Sequence, residues 1–118
     1  MRLLVFVLNK VEYLDEVLEG FAAQKIGGAT IFHSMGMARE LYHAGHEDDG
    51  FLGSLRAFLD PDREESRTIF TVVEEQQVER AVEVIESVVG DLSKPDTGIV
   101  FTLPVDFIKG IRGDRSAK

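Results

Sequence analysis

Runs in which nearly every position is apolar alternate along the chain with stretches in which apolar residues recur every three or four positions. Residues 2–8, RLLVFVL, are apolar without alternation and rich in β-formers. The following KVEYLDEVLEGFAAQK sets Leu14, Val17, Leu18, Phe21 and Ala22 at helical spacing. These patterns predict a strand and then a helix. Gly27 and Gly28 are expected to stop that helix, and ATIFHS after them reads as a second strand. Beyond a long polar stretch, SRTIFTVV is a third strand. EEQQVERAVEVIESVVG then places Val78, Ala81, Val82, Ile85, Val88 and Val89 on one stripe closed by Gly90. DLSKPD is a turn, and GIVFTL is a fourth strand that ends at Pro104.

The order is βαββαβ, the ferredoxin-like α+β pattern in which two helices cover one face of a four-stranded antiparallel sheet. The other face of such a sheet meets water only if its strands alternate apolar with polar. These strands do not. Consecutive residues of Leu3–Leu8 and of Ile99–Phe101 point to opposite faces, and both sets are apolar. A second copy of the chain is the natural cover, so a homo-oligomer with packed sheets is predicted. The alternative is that residues 51–59 fold back over that face.

The chain is read as one domain over residues 1–110 with a polar tail at 111–118. Its 118 residues suffice to bury a core without disulfides or a structural metal. The absence of cysteine removes any thiol nucleophile and any Cys-based zinc site, and a cytoplasmic location is the easier fit. A formal charge of −8 argues against a nucleic-acid partner, whose phosphates would need Lys and Arg. No apolar run reaches the roughly 20 residues that span a bilayer. MRLLVFVLNK is too short, and lacks the cleavage site, for a signal peptide.

Between strands two and three lies a connection of about residues 36–66, far longer than the usual link and therefore a candidate for function. Within it FLGSLRAFL sets Phe51, Leu52, Leu55, Phe58 and Leu59 on one helical face. His43 and His46 with Glu47, Asp48 and Asp49 offer donors for a divalent ion, but histidines three apart in an acidic loop are a weak pattern, and no metal site is assigned. His33, on a predicted strand, reads as structural, Glu64–Glu65 and Glu74–Glu75 as solvated acids, and Tyr42 as no more than an exposed tyrosine. No nucleophile stands in a recognisable motif, and neither a GxxxxGK[ST] loop nor a GxGxxG turn is present, so catalysis is not expected. Scattered cations, Arg39, Lys94, Lys109 and Arg112, remain for an oligomer to gather around an anion.

The order of elements, the long loop, SMGMARE at its entrance and DTGIVFTLPVDFIKGIRGD near the end together resemble the PII signalling proteins and their PII-like relatives. Gly36-Met37-Ala38-Arg39 is similar to the family's Gly-aromatic-Gly-Arg motif, with Ala38 for the second glycine. Asp96-Thr97-Gly98-Ile99 stands where the family has Gly-Asp-Gly-Lys, with Lys94 nearby. Gly110-Ile111-Arg112 keeps the second arginine of the family's Arg-Ile-Arg, and Lys109 adjoins the vacancy. The resemblance implies a homotrimer with ligand clefts between subunits, built from Gly36, Met37, Ala38, Arg39, Lys94, Asp96, Thr97, Gly98, Lys109 and Arg112. It implies a small-molecule ligand, an adenine nucleotide (ADP, AMP or ATP), and a target transporter or metabolic enzyme met by the 36–66 loop. Two of the family's usual cations are missing, which on charge grounds favours a ligand with fewer phosphates, or another small anion, over ATP. A metal-tolerance trimer of the CutA type, using His43 and His46, is the alternative reading, and an enzyme whose site forms across subunits is a third.

Overall fold

The computed structural model describes residues 1–37, 40, 65–95 and 97–110. Its elements are β1 (Arg2–Leu8), α1 (Leu14–Ala23) after a single 3-10 turn, β2 (Ala29–Ser34), β3 (Ser66–Val73), α2 (Val78–Val89) after a second 3-10 turn, and β4 (Gly98–Pro104). All pairs are antiparallel and the sheet order is β2-β3-β1-β4, which is the topology expected of the βαββαβ pattern. The predicted short helix at 51–59, with His43, His46 and Tyr42, lies outside the described residues. No helix among the described residues is long and apolar enough to cross a membrane.

The core lies between the helices and one face of the sheet. Leu4, Phe6 and Leu8 of β1 and Ile69 and Val73 of β3 meet Val17 and Phe21 of α1 and Ala81, Ile85 and Val89 of α2. The α2 stripe is as the spacing predicts, with every member buried or half-buried, whereas Ala22 of the predicted α1 stripe is exposed. The helices meet where Gly20 faces Val84, since a Cβ built at Gly20 would stand 2.5 Å from Val84 Cγ1. A glycine inside a helix costs about 1 kcal/mol relative to alanine, and here it allows the close approach.

The end of α1 departs from the expectation that Gly27 and Gly28 stop it. The left-handed residue is Lys25, with φ 63°. The Lys25 N–H donates to the Ala22 carbonyl at 3.0 Å, and the Ile26 N–H reaches back to the Phe21 carbonyl at 2.8 Å. This is the Schellman arrangement, closed by contact between two buried residues, Ile26 and Phe21. Burial of Ile26 outweighs the cost of a left-handed lysine, so the helix stops before either glycine.

Among the described residues, no helix packs on the opposite face of the sheet. Register places Leu3, Val5 and Val7 of β1, Phe70 and Val72 of β3, Phe32 of β2, and Ile99, Phe101 and Leu103 of β4 on it. Phe32 and Phe70 meet edge to face, with centroids 5.0 Å apart, as diagonal neighbours on adjacent strands. Ile99 is 57 % exposed and Phe101 45 %. Helices on one side and, on the other, an apolar surface that no described helix covers match the apolar character of both faces that the unbroken runs predict.

Candidate functional site

The ends of four strands place the loop entrance and the turn before β4 at one end of the sheet, on its two outer strands. Ser34 is opposite Ser66, Arg67 opposite Leu8, and Leu8 opposite Gly98. Gly36 and Met37 therefore leave from the same end at which Lys94, Thr97 and Gly98 arrive. At the entrance the Glu40 N–H donates to the Gly36 carbonyl at 3.0 Å. Ala38, Arg39, Asp96 and Arg112 lie outside the described residues.

The turn from α2 to β4 is held by its own polar groups. Gly90 ends α2 with φ 93°. The Asp91 carboxylate accepts from the Ser93 N–H at 2.9 Å and the Ser93 hydroxyl at 2.7 Å. These bonds, the backbone one foremost, hold its pKa below the usual range. Thr97 is buried, and its hydroxyl donates to the Lys94 carbonyl at 2.8 Å. Its side chain thus fixes the turn, while Lys94 next to it is exposed.

The two glycines differ. Gly98 has φ 139°, and a Cβ there would run into the Val7 carbonyl oxygen on the paired strand and stand 3.0 Å from Phe6 Cε1. Its own sheet demands glycine. Around Gly36 nothing among the described residues comes within 4 Å of such a Cβ.

Lys109 follows the other end of β4. β4 leaves the sheet at Pro104, which pairs with Arg2, and Val105 continues the pairing by donating to the Met1 carbonyl at 3.2 Å. The segment carrying Lys109 thus departs from the end of the sheet opposite Gly98, about 20 Å away for a strand of this length. Phe107 on that segment is 81 % exposed.

The loop base also holds residues that the pattern of the sequence did not single out as a site. On the uncovered face the Thr68 hydroxyl donates to Ser34 Oγ at 2.8 Å, and Ser34 Oγ and Ser66 Oγ are 2.7 Å apart. On the helix side Arg67 Nη1 donates to Glu65 Oε2 at 2.6 Å, and His33 Nδ1 lies 3.5 Å from the same oxygen. Glu65 is thus paired rather than merely solvated. The hydrogen bond from Arg67, then its charge and that of His33, hold its carboxyl below the usual range. Contacts between strands distant in sequence leave no local periodic signal; only the pairing reveals them.

Comparison with protein families finds a match to the one described as nitrogen regulatory protein P-II, over residues 1–115. Comparison with curated proteins finds no match. The family match gives no support to the metal-tolerance alternative.

Proposed function

The chain belongs to the nitrogen regulatory protein P-II family, whose members are signalling regulators rather than enzymes, and from that premise we propose that it is a cytoplasmic, homotrimeric sensor of a small anionic molecule. Its ligand is an adenine nucleotide, held in clefts between subunits, and its output is the 36–66 loop acting on a transporter or metabolic enzyme. The observation that carries this reading is the uncovered apolar face, where Phe32, Phe70, Ile99, Phe101 and Leu103 are all at least one third exposed. Monomeric proteins rarely leave so continuous an apolar surface to water. Copies packed through it bring a Lys109 segment from one protomer toward the Gly36 and Gly98 end of another.

In such a cleft Lys94 and Lys109, with Arg39 and Arg112, supply the positive charge that phosphates require. Gly36 is open on its own protomer's side, so it admits the close approach of a ligand or a neighbouring chain. Thr97, Asp91 and Gly98 hold the shape of the turn that presents Lys94. Ligand binding then shifts the population of loop conformations by its differential affinity for them.

Sedimentation combined with calorimetric titration tests the proposal. The expected result is three protomers per particle and heat on adding ATP, ADP or AMP that is lost in Lys94→Ala. A monomer in dilute solution, or absence of heat from all three nucleotides, overturns it.

A further inference from the structure

The end of the β2–β3 ribbon is fastened on both faces by different chemistry. Neutral hydroxyls, Ser34, Ser66 and Thr68, join the strands on the uncovered face. On the helix-side face the bridge is ionic, running from Arg67 to Glu65 to His33, with His33 and Arg67 directly opposite each other in register. His33 comes from the strand entering the long connection, while Glu65 and Arg67 lie where the chain returns. One carboxylate therefore ties the two ends of the connection together.

We infer that this ribbon end is a proton-sensitive clasp, closed more firmly when the His33 imidazole is protonated, and so a device by which pH sets how the long connection leaves the sheet. Imidazole is the side chain that ordinarily changes charge between pH 5 and 8. Neutral His33 offers Glu65 at most a hydrogen bond, whereas the imidazolium adds an opposite charge 3.5 Å from its oxygen. Among the described residues, the charges acting on Glu65 are those of Arg67 and His33. Across the sheet on the same face, β1 contributes only Leu8 opposite Arg67. The Arg67 link persists over the whole range, because guanidinium does not lose its proton there. The hydroxyl face is likewise indifferent to pH, so among the described residues His33 supplies the variable part. The sign follows from charge: an imidazolium attracts the Glu65 carboxylate and a neutral ring does not, so lowering the pH from 8 to 6 closes the clasp, until Glu65 itself is protonated below that range.

This inference stands on the strand register and does not depend on which ligand the protein senses. The test is amide hydrogen exchange of the full-length protein at Phe32–Ser34 and Ser66–Thr68, expressed at each pH as protection relative to intrinsic exchange. Because the pair is solvent-exposed, the expected rise in protection from pH 8 to pH 6 is roughly two- to fivefold. It should be absent from His33→Gln and Glu65→Gln, both at exposed positions where folding is retained. A flat profile in the parent protein, or a rise that survives in either variant, overturns the inference.

Discussion

Alanine at Gly98 and at Gly36 separates a glycine that the fold requires from one that the protomer does not. At Gly98 the φ of 139° is a conformation that side chains rarely adopt, and holding a residue there costs about 1–3 kcal/mol. The added methyl also meets the Val7 carbonyl oxygen, a backbone atom of the paired strand that cannot turn aside. Forced overpacking of that kind costs about 1–3 kcal/mol more. Gly98→Ala is therefore expected to lose about 2–6 kcal/mol. At Gly36 the methyl enters space free of described atoms, so the change should stay within about 0.5 kcal/mol. Urea unfolding followed by circular dichroism, at equal protomer concentration, measures both. A Gly98→Ala protein within about 1 kcal/mol of the parent refutes the reasoning, as does a Gly36→Ala protein that loses more than that. In the same samples nucleotide heat should fall for Gly36→Ala although its fold is intact.

Phe101→Glu puts a charge on the uncovered face and should reduce the sedimenting mass while helix content is retained; an unchanged mass rules out assembly through that face. The Thr71 hydroxyl is buried with no hydrogen-bond partner among the described residues, so Thr71→Val should gain about 1 kcal/mol in thermal or urea unfolding. Lys25→Gly relieves a left-handed lysine and should gain about 0.5–1 kcal/mol, whereas Gly27→Ala, with no obstruction, should not destabilise. The carboxyl of Asp91 is lowered by its bonds to Ser93; a depressed carboxyl stabilises the fold above its unfolded value and loses that contribution as pH falls through the folded one. Asp91→Asn should accordingly flatten the fall of melting temperature below about pH 4, and an unchanged acid limb would count against the turn described above.

Much of the site's frame was legible in the chain. Gly36 and Gly98 lie at the ends of elements that the pattern placed at β2 and β4, and the register puts both at one end of the sheet. The roles were less legible. Thr97 reads as a ligand contact by resemblance, yet its hydroxyl is committed to the Lys94 carbonyl. Nor does order along the chain tell that the Lys109 segment departs from the far end, since that depends on which way β4 runs beside β1. The pairing of Glu65 with His33 joins residues more than thirty positions apart, and no local spacing encodes it.

Hydrophobic periodicity by itself determined the six main elements, their order and the prediction that both faces of the sheet are apolar, because strand and helix impose different local repeats on any chain that buries a core. Tertiary structure decided the rest. Packing of Ile26 on Phe21, rather than the nearest glycines, chose where α1 stops; antiparallel pairing chose which polar groups meet at the loop base and which end of the sheet each candidate residue occupies. These are choices among contacts distant in sequence, settled by burial and hydrogen bonding together, and no stretch of the chain carries them alone.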